Sequence, residues 1–226
     1  VNVLLFGATG MVGQGVLRTC LLADDVTRVV AVGRSATGQQ HPKLRDLVHR
    51  DLFDYHAIEP ELRNFDACFF CLGVSSAGMS EADYKHFTYD LTLAAAQTLV
   101  RLNSRMTFVY VSGAGTDSSE RGRSMWARVK GRTENALLRL PFDGVYLFRP
   151  GIIQPLHGVQ SKTRSYRMLY SVSKPLLSLL RLLLPRAVLT TDIVGLAMLE
   201  VARYGAPKSV LEAADIADLA NRPLAA

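Results

Sequence analysis

Cysteine is scarce: Cys20, Cys68 and Cys71 are the three in 226 residues. So low and odd a count excludes a disulfide framework and fits a reducing, cytoplasmic setting. Cys68 and Cys71 stand in an apolar run, Ala67 to Leu72, that reads as a strand. Residues three apart on a strand point to opposite faces, so these two thiols are expected as buried strand residues rather than a redox pair. Metal-ligand spacing is lacking as well. His41, His49, His56, His86 and His157 are scattered, with no cysteine or carboxylate cluster beside them, against a metal centre. No GxSxG stretch marks a hydrolase elbow, and no Gly-Lys-Ser/Thr marks a P-loop. The chain opens in an apolar run, Val1 to Phe6, without the basic segment and cleavage site of an export signal.

Acidic residues are missing from one long interval. Between Asp143 and Asp192 there is none, while Arg149, Lys162, Arg164, Arg167, Lys174, Arg181 and Arg186 fall inside it. The net charge of +6 is concentrated there rather than interleaved with aromatics along a groove, which excludes nucleic acid as the expected partner and favours an anionic ligand. The run KPLLSLLRLLLP, residues 174–185, is too short and too charged to span a bilayer. As a helix it places Lys174, Ser178 and Arg181 on one stripe and leucines elsewhere. That pattern is expected to pack on its own domain or on a partner subunit in a homodimer, with contact to a membrane surface as the lesser alternative.

The composition that is present, 49% hydrophobic and 20% charged, suffices for one well-packed core. Short β-branched runs alternate with helical stretches, the sequence form of an α/β Rossmann-like, doubly wound parallel sheet. The expected strands are Val1 to Phe6, Arg28 to Val32, Asp46 to His49, Ala67 to Cys71, Thr107 to Val111 and Gly144 to Phe148, with a short one at Ser209 to Glu212. Expected helices are Met11 to Leu22, a weaker one at Ile58 to Arg63, Glu81 to Leu102 and Ser124 to Leu140. A last one runs from Asp192 to Tyr204, with Thr191 as its N-cap. Leu91, Ala94, Ala95, Thr98, Leu99 and Leu102 form the apolar face of the third. One domain over residues 1–220 is expected, with 151–185 as an inserted substrate-covering region and 221–226 as a tail.

The segment LLFGATGMVGQG, Leu4 to Gly15, carries the strongest chemical signal because it follows a strand and opens a helix. Gly7 suits the tight turn, Gly10 lets a diphosphate approach the backbone, and Gly13 lets helix and strand pack closely. Thr9, Met11 and Val12 complete a turn whose free N–H groups and helix dipole favour phosphate. About 20 residues on, an acid would hold the adenosine ribose of NAD. The second strand ends instead in VAVGRSATG. Arg34 can clamp a 2′-phosphate there, with Ser35 and Thr37 as further donors, so NADP(H) is expected in preference to NAD(H). Asp51 and Leu52 are placed for the adenine edge and face, and Leu72, Gly73 and Val74 for ribose and nicotinamide.

These stretches, with VYVSGAG, the helix WARVKGRTENAL and the FRPG turn at 148–151, resemble the short-chain dehydrogenase/reductase superfamily in its atypical and extended branches. The likeness is greatest to the small TIP30-like, NAD(P)-binding subgroup labelled epimerase/dehydratase. It implies that Ser112 positions a substrate carbonyl and that Lys130 binds the nicotinamide ribose. Four residues before Lys130, where the resemblance implies a proton-exchanging tyrosine, stands Trp126. A phenol can be brought toward neutrality by a cation, whereas an indole N–H does not ionise in the working range of a protein. Substitute acids are Tyr84 on the loop after the fourth strand, Ser112, Tyr166 or His157; alternatively the reaction needs no protein acid, hydride going to a cationic or conjugated acceptor and solvent supplying the proton. Tyr89 and Asp90 either meet the cofactor or serve packing. Two functions follow: an NADP(H)-dependent oxidoreductase or epimerase-like enzyme acting on a small-molecule substrate, or a non-catalytic NADP(H)-sensing protein.

Overall fold

A computed structural model describes residues 1–158 and 186–222 of the chain. Its main sheet is parallel and seven-stranded, in the order β3-β2-β1-β4-β5-β6-β9. The strands are β1 Asn2–Phe6, β2 Arg28–Gly33, β3 Leu44–Val48, β4 Ala67–Phe70, β5 Thr107–Val111, β6 Gly144–Arg149 and β9 Val210–Glu212. A second pair, β7 Ile152–Gln154 and β8 Val188–Thr190, is also parallel, with Ile152 opposite Val188. That small sheet was not legible in the sequence because three-residue strands carry too little periodicity.

Alternation along the strands sends side chains to two separate cores. Val3, Leu5, Val29, Ala31, Phe69, Val109 and Phe148 join a cluster on one face with residues of three helices. These are α1 Met11–Leu22, α5 Thr191–Tyr204 and α6 Ala213–Ala220. Leu4, Phe6, Val30, Val32, Cys68, Phe70, Phe108, Tyr110 and Leu147 point to the other face, against α3 Leu91–Leu102 and α4 Met125–Leu137. Each fully buried Leu or Phe stabilises the fold by about 1.5–3 kcal/mol relative to exposure. Cys68 and Cys71 fall in the two different clusters and are free thiols, as the strand spacing requires.

Three expected elements are corrected. The stretch from Glu81 to Leu102 is not one α-helix: α2 Glu81–Lys85 is joined to α3 by a π-helical turn, His86–Asp90. Buried Tyr84, Thr88 and Thr92 recur every four residues, wider than the 3.6 of an α-helix, and an i→i+5 turn accommodates that excess. The buried face of α3 accordingly comprises Thr92, Leu93, Ala95, Ala96 and Leu99. Around Ile58 the chain forms a 3₁₀ segment, His56–Leu62, with Pro60 inside it; proline lacks the N–H that a continuing α-helix uses. Thr190, not Thr191, caps α5, its hydroxyl accepting the Ile193 N–H at 3.1 Å.

Helices α1 and α5 pack closely through small residues. A side chain at Gly15 would meet Thr191, and one at Gly195 would meet Thr19. The expected substrate-covering region falls largely on residues 159–185, which lie outside the described residues. So do Tyr166 and five of the seven basic residues. Of the other two, Arg149 pairs with Glu134 and Glu212, and Arg186 with Asp218. Those two are neutralised by acids from elsewhere in the chain, so they are not available to an anionic ligand.

Candidate cofactor site and active site

β1 is flanked by β2 on one side and β4 on the other, and the order of the sheet reverses there. The crevice at the carboxyl ends of β1 and β4 is therefore the topological switch point. Gly7 occupies it with φ +80°, a conformation costly to any residue with a Cβ. A Cβ there would also stand 2.7 Å from the Cys71 carbonyl carbon at the end of β4. One turn on, a Cβ at Gly13 would collide with the Gly7 carbonyl oxygen, so α1 can lie this close to β1 only with glycine there. Gly10 is the N-cap of α1, without a side-chain cap bond and with no acid in the first turn. The orphan N–H groups and positive dipole end of α1 are thus left for an anion. This cradle fits a dinucleotide diphosphate.

The adjoining cleft, of about 90 Å³, is lined by Gly7, Ala8, Thr9, Ala31, Val32, Gly33, Arg34, Ser35, Thr37, Leu52 and Leu72. It brings together seven of the residues singled out from sequence: Gly7, Thr9, Arg34, Ser35, Thr37, Leu52 and Leu72. Met11 and Val12 begin α1 beside them and pack on the core. Arg34 is exposed at the cleft. Thr37 is already committed: its N–H and hydroxyl both donate to the Asp46 carboxylate, at 3.1 and 3.0 Å. Asp51 folds back to accept the Phe53 N–H at 2.9 Å and does not line the cleft. Gly73 lies beyond the lining as well, and Val74 is exposed. Asp46 was missed in the sequence because it lies on β3, after the loop it organises, and only the pairing of β3 with β2 brings it back to Thr37.

The second half of the site lies at the end of β5. Ser112 is buried, and its hydroxyl is 3.0 Å from that of Thr116. The Thr116 hydroxyl donates to the Gly113 carbonyl at 2.8 Å. With that proton spent, Ser112 is the donor to Thr116, and its remaining lone pairs only accept. Trp126 and Lys130 lie on one face of α4, a single turn apart. The indole ring of Trp126 covers the glycine turn after β5, within 3.6 Å of where a Gly115 Cβ would be and 3.9 Å for Gly113.

Lys130 Nζ lies 3.4 Å from both the Tyr110 hydroxyl and the Val111 carbonyl oxygen, the long limit for such bonds. Burial pushes its ammonium down to about 8, partly countered by the Glu134 carboxylate. Glu134 is buried, with its side chain turned to Arg149, whose Nε donates to it at 3.0 Å. The Tyr110 phenol is pushed up by burial and by its neighbours Tyr84 and Glu134. Neither Tyr110 nor Glu134 was singled out in the sequence. The signals were present: Tyr110 precedes Ser112 by two on one strand face, and Glu134 follows Lys130 by four.

The placement of Tyr84 is corrected. It belongs to α2 rather than a loop, and it is buried, its phenol pushed up by that burial. His157 is bonded to Asp192 at 2.7 Å. Tyr89 stands between Lys85 and Arg132, each 5.1 Å from its ring. Asp90 holds the Lys85 ammonium at 2.7 Å. Among the described residues no group of His, Cys, Asp and Glu could hold a metal ion, and no helix is long and apolar enough to cross a membrane.

A doubly wound parallel sheet with a glycine cradle at its switch point defines a Rossmann-like α/β protein. The chain belongs to the NAD dependent epimerase/dehydratase family, whose profile matches residues 3–122, and it is an atypical short-chain dehydrogenase/reductase. The matched span includes Ser112 and ends before Trp126 and Lys130.

Among curated relatives, Protein FMP52, mitochondrial, of Saccharomyces cerevisiae is 30% identical over 166 residues, 72% of this chain and 69% of that one. Protein fmp52, mitochondrial, of Emericella nidulans is 29% identical over 159 residues, 67% and 66% of the two chains. Protein HTATIP2 of Rattus norvegicus is 24% identical over 155 residues, 67% and 62%. The chain thus spans about two thirds of the length of the relatives it matches. The names of the Fmp52 proteins overturn the cytoplasmic location expected from the cysteines. A thiol count reports redox conditions and carries no address.

Two solved structures share the fold. Bordetella bronchiseptica WbmF, in complex with NAD+, has a TM-score of 0.66 at 17% identity, over 97% of this chain and 76% of that one. DesIV, a dTDP-glucose 4,6-dehydratase of Streptomyces venezuelae with NAD and DAU bound, has 0.69 at 18%, over 94% and 75%.

Proposed function

We propose that the protein binds NADP(H) in preference to NAD(H) and is an oxidoreductase or epimerase-like enzyme acting on a small carbonyl-bearing molecule. The observation that carries this is the cleft shared by Gly7, Thr9, Arg34, Ser35, Leu52 and Leu72, which has no acid at the end of β2. The NAD-bound structural neighbours support a nicotinamide dinucleotide as the ligand class. When bound, such a group supplies or takes up a hydride.

The chain's own residues do the rest. Gly7, Gly10 and Gly13 leave room for the diphosphate at the N-terminus of α1, and Arg34 offers a planar bidentate donor to a 2′-phosphate. Lys130 holds the nicotinamide ribose hydroxyls. Ser112 borders the substrate carbonyl at the end of β5, while Trp126 closes the glycine turn with an apolar surface that excludes water.

Calorimetry with NADPH and NADH tests the cofactor half. NADPH is expected to bind at least about tenfold more tightly, a difference of about 1.4 kcal/mol, and Arg34→Ala to remove most of it. Equal affinities in the unaltered protein would sink it. Turnover is read by NADPH oxidation across a panel of aldehydes, ketones, enones and imines. Tight binding with no oxidation would favour a non-catalytic sensor, the function that a non-ionising Trp126 also fits.

A further inference from the structure

We propose that the Lys130 ammonium, rather than any phenol among the described residues, is the proton donor of this site, giving its proton to the oxygen of a substrate carbonyl held beside Ser112. This rests on the enzymatic function proposed above. Among the described residues, the other protic groups considered for this role are set aside one by one. The Trp126 indole does not ionise, and Tyr84 and Tyr110 are buried. The Ser112 proton goes to Thr116 and the Thr116 proton to Gly113. His157 is engaged by Asp192.

Lys130 is different in every respect that matters. It is half-buried, and its two oxygen contacts are a phenol and a carbonyl at 3.4 Å. The second belongs to Val111, which immediately precedes Ser112, so ammonium and hydroxyl share one end of β5. The one carboxylate on its own helix face, Glu134, is turned to Arg149. From the neighbouring elements, Tyr110 faces it from β5, with Tyr84 of α2 behind that phenol. Arg149 of β6 is consumed by Glu134 and Glu212. On the π turn, Asp90 is paired with Lys85, and Tyr89 is directed to Arg132. An ammonium with poor solvation and no carboxylate releases its proton readily. Its depression to about 8 puts that release near working pH, where general acids are most effective.

The step balances as a two-electron reduction. As hydride adds to the carbonyl carbon, the π pair moves onto oxygen, an O–H bond forms to the Lys130 proton, and one ammonium N–H bond breaks. The neutral amine regains a proton from solvent. The reductant, a reduced nicotinamide dinucleotide, ends oxidised.

Two measurements test it. Competitive acetylation of the cofactor-free protein, read by mass spectrometry across neutral to alkaline pH, is expected to give Lys130 a midpoint near 8. A midpoint in the ordinary lysine range, about 10.4, would overturn the proposal without any variant or substrate being needed. Lys130→Arg keeps the charge and the ribose donors but holds its proton at neutral pH. With any change of NADPH affinity read by calorimetry and the cofactor then kept saturating, it is expected to turn over phenanthrenequinone at least about 100-fold more slowly, the lower end of general-acid contributions. Turnover by Lys130→Arg equal to that of the unaltered protein, with the same pH profile, would overturn the proposal and leave the enzymatic function standing. Binding of NADPH with no turnover of any carbonyl probe would sink both.

Discussion

Glu134 stands one helical turn after Lys130 on α4, yet its carboxylate is bonded to Arg149 of β6 and not to the lysine. That choice of partner ties the helix carrying Lys130 to the sheet. It also leaves the ammonium without a carboxylate at the end of β5. Arg149 extends the link to Ser118, on the loop that follows Ser112, at 2.6 Å. One buried pair thereby ties both α4 and the loop after β5 to β6.

Breaking that pair is expected to be costly. The Glu134 and Arg149 side chains are 1% and 11% exposed, so Glu134→Ala strands a guanidinium whose other carboxylate partner, Glu212, is half exposed at 3.2 Å. A loss of about 3 kcal/mol is expected, measured as a lowered urea midpoint with unchanged slope. Glu134→Gln keeps an acceptor and is expected to lose less. Equal stability of Glu134→Ala and the unaltered protein would show that the pair does not hold α4 to β6.

Stability should depend on pH through Lys130. Its folded-state value of about 8 lies below the ordinary lysine value of about 10.4. Between those values the unfolded chain binds more protons, so this residue's contribution rises as pH climbs through the window. Below about 8 both states are protonated, and the cost of burying the charge is present in full. Lys130→Met removes that cost, so its stability advantage is expected to be greatest at neutral pH and to shrink as pH rises toward 10. Paired denaturant titrations check this; an advantage independent of pH would contradict it.

Trp126 is the one tryptophan in the chain, and its ring covers the Gly113 to Gly115 turn. Its fluorescence is therefore an unmixed reporter of the site. NADPH is expected to quench it by energy transfer, saturating at the stoichiometry that calorimetry gives. Trp126→Tyr places a phenol one turn before Lys130, where the cation can lower its pKa. This variant is expected to raise carbonyl turnover; an unchanged rate would mean that proton supply does not limit it.

A methyl group at position 13 is expected to be poorly tolerated. The Gly7 carbonyl lies where a Gly13 Cβ would go, so Gly13→Ala must push α1 from β1. Overpacking of this kind costs about 1–3 kcal/mol and would deform the phosphate cradle. A lowered melting temperature together with weakened NADPH binding is the expected result. An unaffected affinity would place the diphosphate elsewhere.

Much of the cofactor half was legible because its requirements are local. Gly7, Gly10 and Gly13 are spaced by the turn and helix they build, and the succession of strands and helices follows from the alternating runs. The lack of an acid after Val32 can be read without coordinates. The periodicity of residues 81–102 gave a helix but not its π turn, since a single register slip within a long apolar pattern leaves no compositional mark. Tyr84 looked available because exposure is not encoded in its neighbours.

The sequence by itself determined the doubly wound sheet, the glycine cradle and the indole that stands one turn before Lys130, all consequences of residue type and short-range spacing. Only the tertiary structure decided which groups face each other at the end of β5. The structure gave Glu134 to Arg149, bound Thr37 to Asp46 and spent the Ser112 proton on Thr116. These pairings join residues from different elements or across a turn, and they depend on distances and burial that no linear pattern records.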